Sequence, residues 1–292
     1  MTRTELRERA VYIAVALLLA ATIGIDAVTP LGYSVWCLYF LAVGLTLFQP
    51  HRALPFVIAA ASTVLLVVGF ELSPPGGDPA ISVVNRSIGG SSFWLMAFVV
   101  SQALRARREA GDMLWLQQGE SELAVALWGE QTLESLAAIA VRGLCARLGA
   151  QVGAIYRIDG ERLRLAGGVA LDEAVPRELP RQHGQLGEIL QQGKARRIAG
   201  LSPDHLPMSS SLGRSHAGEL LLAPLSANGV PVGVLELGRT GKAGRIDLEL
   251  DLLERAGEII GVAMLTTEMH RRQQELLEET RRQSEELQTQ QE

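Results

Sequence analysis

The chain lacks most of the features that announce chemistry. It has two cysteines in 292 residues, Cys37 inside an apolar run and Cys145 among helically spaced apolar residues. A disulfide framework finds no support there, and both read as small packing residues. Basic charge is not in excess: 27 Lys+Arg face 32 Asp+Glu, for a net charge of -5 and no basic face. A nucleic-acid partner is therefore not expected. The five histidines show no close ligand spacing; His205 and His216 share a loop region, but two ligands do not make a metal site. The run from Gly238 to Gly244 lacks the leading glycine of a phosphate loop and a Ser/Thr after Lys242, so it reads as a strand-to-helix loop. No Ser/His/Asp grouping and no carboxylate pair stands out, and no catalytic residue is expected within 1–292.

What the chain does have is apolar sequence in one place. Hydrophobic residues make up 48%, with the excess before Arg105. Four apolar segments, Ala10–Val28, Leu31–Phe48, Leu54–Phe70 and Ile88–Leu104, each approach the ~20 residues that cross a hydrocarbon core. Arg3, Arg7 and Arg9 resemble the basic start of a signal peptide, but no A-x-A site follows and three more spans do, so the first helix is read as retained. Basic residues gather on one side: the three N-terminal arginines, His51 and Arg52, then Arg105, Arg107 and Arg108. The opposite loops hold Thr29-Pro30 and the stretch Glu71–Arg86. Both termini are then expected in the cytoplasm, which an even number of spans also requires. Asp26 is the odd residue of the first segment, and an ionisable group there is a functional candidate. It either caps the turn before Pro30 or pairs with Arg86. Tyr33, Trp36, Tyr39 and Trp94 read as interfacial or packing aromatics.

Residues 105–129 are charged, broken by Gly111 and Gly119, with Leu114, Leu116, Leu123 and Leu127 as apolar points. They read as a signalling helix that continues the fourth span with some interruption, or as a passive tether. A mixed domain follows. Leu133, Leu136, Ala137, Ala140, Val141, Leu144 and Leu148 mark an amphipathic helix. Val152, Ala154, Tyr156 and Ile158 alternate, Asp159-Gly160 predicts a two-residue primed turn, and Leu163 and Leu165 return. A second hairpin joins Leu220–Leu225 to Val230–Leu237 through Ala227-Asn228-Gly229. Between them lie a helical piece around Gly187–Gln192, a strand near Arg196–Ala199 and the Ser/Pro/Gly-rich stretch Ser202–Gly218. A long helix begins near Asp247. The expectation is an antiparallel sheet backed by helices.

Three segments carry a family resemblance. Leu186-Gly187-Glu188-Ile189-Leu190, the run from Ala223-Pro224-Leu225 through Gly229–Leu237, and the closing helix Leu248–Ala263 resemble a GAF domain over residues 130–265. The resemblance implies a small-molecule pocket between sheet and cover, which Tyr156, Arg214, His216 and Glu236 could line; each of the four also has a plain surface or core reading. No cysteine occurs between 151 and 292, so a covalent bilin is not expected, and the Asn-Lys-Phe-Asp-Glu signature of cyclic-nucleotide relatives is missing. The ethylene-receptor type also joins membrane helices to this fold, with a copper site of Cys and His one turn apart. Here Leu41 stands one turn after Cys37, so copper is not expected either. The ligand stays unassigned, and a purely dimerising domain is an open alternative.

The last helix offers a four-three seam through Leu252, Ala256, Ile259, Ala263, Thr266, His270, Gln273, Leu277, Thr280, Ser284, Leu287 and Gln291. It reads as a weak coiled coil or as a solvated single helix. Its tail, Glu278–Glu292, resembles the coiled linker ahead of the kinase core in bacterial sensor histidine kinases, and the helix is expected to lead to an output domain. The expected fold is multi-domain: an all-α four-helix transmembrane bundle (1–104), the signalling helix, an α+β GAF domain, and a coiled coil (266–292). The expected role is the input half of a two-component sensor kinase in the bacterial inner membrane. Its expected partners are the lipid bilayer, a second copy of itself through the signalling helix, GAF domain and coil, and a possible small-molecule ligand. A diguanylate-cyclase input and a membrane-anchored dimerisation scaffold are the alternatives.

Overall fold

The computed structural model describes residues 1–292 except 1, 2, 32, 77, 130, 131, 173, 174, 202–206, 211, 212, 242, 243 and 292. The chain divides into two compact units, Met1–Gly111 and Asp112–Glu292.

The first unit is helical. Helix α1 spans Arg3–Val28 and α3 spans Leu54–Leu72; between them a short α2, Leu38–Leu45, is flanked by 3-10 turns at Val35–Cys37 and Thr46–Phe48. Helix α4 runs Pro79–Ala126 and enters the second unit. Three helices are long and apolar enough to cross a membrane, within Arg9–Val28, Leu54–Leu72 and Ala80–Ala126; Val35–Phe48 is shorter. The second apolar segment thus starts later than the expected Leu31. Pro30 has no N–H to give a helix, and the Leu31 N–H donates instead to the Pro74 carbonyl at 3.1 Å, which sets two loops at one end of the unit. The fourth segment starts earlier than the expected Ile88. Asp78 Oδ1 accepts from the Ala80 N–H at 2.9 Å and Pro79 occupies the first helical position, a start signal that overrides the polar residues following it. Contrary to expectation, Gly111 and Gly119 do not interrupt α4.

The core of this unit is Tyr39, Val43, Ala59, Leu66, Phe93 and Ala97, with Leu19 and Trp36 against it, so all four helical segments contribute. Phe93 is the hub: the Tyr39 and Phe40 rings meet it edge-on at 5.7 and 5.5 Å. The outside is as apolar as the inside. Ile13, Leu17, Val64, Val67, Leu95 and Val99 are all more than half exposed.

The second unit is an antiparallel six-stranded sheet, order β3-β2-β1-β8-β7-β4, with β1 Val152–Asp159, β2 Arg162–Val169, β3 Glu178–Pro180, β4 Arg196–Ala199, β7 Glu219–Ala227 and β8 Val230–Arg239. A separate hairpin pairs β5 Pro207–Ser210 with β6 Gly213–His216. Helix α5, Leu133–Leu148, is capped by the Thr132 hydroxyl, which accepts from the Ser135 N–H, and closed by Gly149 in the left-handed region. The first hairpin corrects the expected turn. Asp159 pairs with Arg162, so the turn is Gly160-Glu161, with positive φ at Gly160 and not at Glu161. That is the geometry that needs glycine first. The second turn has φ of 53° at Asn228 and 78° at Gly229, as Asn-Gly predicts.

One face of the sheet carries α5 and α7, Ile246–Gln291, together with Leu116 and Leu123 of α4 and Leu127 just past its end. Gly257 and Gly261 let α7 lie directly on β7: a Cβ there would sit 2.3 Å from the Pro224 carbonyl oxygen and 2.2 Å from that of Ser226. This packing also claims the start of the expected seam. Leu252 and Ala256 are buried in the domain's own core, and so are Leu253, Ile260 and Met264. Beyond Met264 the described side chains lie outside the core, with Met269, Leu276 and Leu277 exposed. The seam positions Ser284, Leu287 and Gln291 have side chains outside the described ones.

Candidate functional site

The other face of the sheet is covered by α6, Gly184–Gln192, and by loops. Ala154 and Tyr156 of β1, Leu220 and Leu222 of β7, Val234 of β8 and Leu163 of β2 meet Leu186 and Ile189 of α6 there. Glu236 lies between Ala154 and Leu222 in register, and residues paired across strands share a face. A carboxylate thus sits among aliphatic side chains, half-buried and without a hydrogen bond or ion pair among the described residues. Burial pushes its pKa up to about 7. The Tyr156 hydroxyl donates to the Pro176 carbonyl at 3.1 Å. Burial, and then the charge of Glu236, raise its pKa to about 12. Two of the four expected pocket residues therefore share this face. Arg214 and His216 lie in β6, opposite Ser209 and Pro207, and their side chains lie outside the described ones, as does His205 altogether. Near neutral pH the Glu236 carboxyl can give or take a proton in a hydrogen bond, which suits recognition of a polar ligand group.

A second group of charges was not legible in the sequence. Glu219 Oε2 accepts from Arg239 Nε at 3.0 Å, and its Oε1 accepts from Arg197. Arg239 also faces Glu249 Oε2 at 2.8 Å and donates to the Leu148 carbonyl at 3.2 Å. Burial works to raise the Glu219 pKa, but hydrogen bonds from Arg197 and Arg239 outweigh it and hold it below the ordinary value. The group ties β4, β7 and β8 to the end of α5 and the first turn of α7. Strand register and the packing of α5 and α7 on the sheet bring these residues together, and no spacing in the chain signals it. Arg239 stands in the run that invites a phosphate-loop reading.

In the first unit, Asp26 and Arg86 meet. Arg86 Nη1 donates to Asp26 Oδ2 at 2.8 Å and Nη2 to Oδ1 at 2.9 Å, a two-pronged pair. Nη1 also donates to the Leu66 carbonyl at 2.8 Å and Nη2 to Ser73 Oγ at 3.2 Å, and the guanidinium lies 5.6 Å from the Phe70 ring centre. Helices α1, α3 and α4 are clamped at one level. Gly69 makes room, since a Cβ there would fall 1.9 Å from Asp26 Oδ2. The side chains of both residues are almost wholly buried.

Residues 130–265 match the GAF domain family model. No curated protein matches the chain. Solved structures similar to it include an A. aeolicus GAF domain in an inactive state (18% identity, 53% of this chain and 98% of that one, TM-score 0.41). Others are the GAF domain of an Acinetobacter phosphoenolpyruvate-protein phosphotransferase (13%, 53% and 95%, 0.43) and one attributed to a sensor histidine kinase of Pseudomonas syringae pv. tomato (13%, 60% and 97%, 0.39). The sheet flanked by α5 and α7, the covered face holding Glu236 and the family match converge: residues 130–265 of this chain are a GAF domain.

Proposed function

We propose that the chain is the input half of a membrane-bound sensor histidine kinase, working as a parallel homodimer. The supporting observation is α4. One unbroken helix begins among lipid-compatible helices and ends with Leu116 and Leu123, and Leu127 just beyond it, inside the core of the second unit. A change in the apolar unit that shifts or rotates α4 then acts on the domain, and α7 carries the result onward. Both termini lie in the cytoplasm in this reading, in keeping with the basic residues Arg9, Arg52 and Arg105. Partner copies meet along α4, the GAF domain and the part of α7 after Met264, where Met269 and Leu277 are exposed. A small molecule bound at the covered face near Glu236 would bias the same equilibrium. The dense aliphatic packing there of Leu163, Ile189, Leu220 and Leu222 favours a second reading, in which the domain only dimerises.

Disulfide trapping in membranes tests the dimer. With Cys37 and Cys145 replaced, Leu277→Cys and Thr280→Cys should cross-link between copies faster than Glu275→Cys, which lies off the seam. Equal rates at all three positions would discard the coiled pair. Grafting residues 1–292 onto a kinase catalytic core tests the output, since activity should follow seam mutations.

A further inference from the structure

Helix α7 leaves the domain core after Met264 and continues to Gln291, about 40 Å at about 1.5 Å per residue. A helix in a protein draws most of its stability from packing an apolar face. Among the described residues, the large exposed apolar side chains of α7 are Val262, Leu265, Met269, Leu276 and Leu277. The expected seam, through Ala263, Thr266, His270, Gln273, Leu277 and Thr280, holds one of these five. A seam turned by one residue, through Val262, Thr266, Met269, Gln273, Leu276 and Thr280, keeps the same four-three spacing. It takes three of the five as core positions, and Leu265 and Leu277 fall on its two edges. The hydroxyls of Thr266 and Thr280 donate to the Val262 and Leu276 carbonyls at 2.9 and 2.8 Å, so both residues can enter a seam with no donor left over.

The domain itself separates the two seams. Ala263 packs against the domain core, and Ala263, His270 and Leu277 line a groove shared with Thr132, Leu133 and Trp128 of the same chain. One residue further round, Val262, Met269 and Leu276 lie outside that groove, at 42%, 61% and 63% exposure. Heptad spacing calls for a helix as neighbour, since it keeps one stripe in contact only when two helices supercoil. Charge points to an identical helix. Between Glu268 and Arg282 the chain carries four arginines and four glutamates, so a second copy meets no net repulsion. No core position of the turned seam from Val262 to Thr280 is charged.

We propose that a second copy of this chain docks in parallel on Val262, Met269 and Leu276, with Thr266, Gln273 and Thr280 between them, while Ala263, His270 and Leu277 stay on the side of the chain's own domain. The assignment rests on the homodimer reading above and fixes which face of α7 serves it.

Single cysteines in the full chain, with Cys37 and Cys145 replaced, are oxidised in membranes and the cross-linked dimer is followed over time. Thr280→Cys, common to both seams, reports pairing itself. Met269→Cys and Leu276→Cys should cross-link about tenfold faster than His270→Cys and Leu277→Cys, since a disulfide needs Cβ atoms about 4 Å apart and core positions come nearest to that. Leu276→Lys should slow linking at Thr280→Cys about tenfold, because it puts charge in the core, whereas Leu277→Lys at the edge should leave it within about twofold. Faster linking at His270→Cys and Leu277→Cys overturns the assignment while the dimer stands. Equal rates at all four positions overturn it as well, as the mark of chance collision. No cross-link at any position sinks the homodimer reading itself, and the assignment with it.

Discussion

The two units each bury a carboxylate held by arginine, and they do so in opposite surroundings. Asp26 and Arg86 sit almost wholly buried in a bundle whose outer surface is Leu, Val and Ile. Glu219 and Arg239 sit at the end of a sheet whose outer surface is charged, with Arg197 about a third exposed beside them. The first is a single ion pair whose arginine otherwise bonds only neutral groups, the Leu66 carbonyl and the Ser73 hydroxyl. The second is a branched network in which Arg239 keeps Glu249 when Glu219 is lost. Losing the carboxylate leaves Arg86 with no anionic partner and Arg239 with one, so the deletion should cost more in the first.

The largest expected effect tests that contrast directly. Asp26→Ala leaves Arg86 uncompensated in the bundle and should remove about 3–5 kcal/mol, read as a drop in the melting temperature of the detergent-solubilised chain. Unchanged melting would mean that the pair does not hold the helices. Glu219→Ala should cost less, about 2 kcal/mol, because Arg239 keeps Glu249 and the Leu148 carbonyl. Urea unfolding followed by the Trp115 signal measures it, and a cost above that of Asp26→Ala would reverse the comparison. Acid gives the same network a sign. The Glu219 pKa is lowered on folding, so its contribution is present above its unfolded value and disappears as pH falls through the folded one.

Glu236 should behave in the opposite sense. Its pKa rises from 4.5 to about 7 on folding, so the folded chain holds a proton that the unfolded chain releases. Stability is unaffected below pH about 4.5 and falls as pH rises towards 7. Glu236→Gln should therefore stabilise the domain by about 2 kcal/mol at pH 8 and by nothing at pH 4, on paired denaturation curves. A gain that is equal at both pH values would show that the carboxyl is not buried among the aliphatic side chains. The smallest effect belongs to the tail. Arg271 pairs with Glu268 and Glu275 on an exposed stretch of α7, and Arg271→Ala should leave the unfolding midpoint unchanged within error.

Much of this is legible in the sequence. Helical spacing marks α5, alternation marks β1 and β7, and Ala227-Asn228-Gly229 marks the second turn, because these signals are local. The Thr132 cap of α5 is not, and the first turn falls one residue later than Asp159-Gly160, since only the pairing of Asp159 with Arg162 fixes which two residues turn. The seam through Leu252 and Ala256 fits a coiled coil on spacing alone. Spacing cannot say whether an apolar stripe faces a partner or its own sheet, and here the early part faces the sheet. On the covered face, Tyr156 and Glu236 are legible from the strand pattern, whereas the Arg197, Glu219, Arg239 and Glu249 network is not.

The sequence by itself determined which solvent each region suits and where most elements begin, because transfer free energy and backbone conformation depend on nearby residues. Only the tertiary structure decided which charges meet. Asp26 and Arg86 lie 60 positions apart in the chain, and Arg239 and Leu148 lie 91 apart. Such pairs are chosen by how helices and strands pack, and packing depends on all the side chains at once.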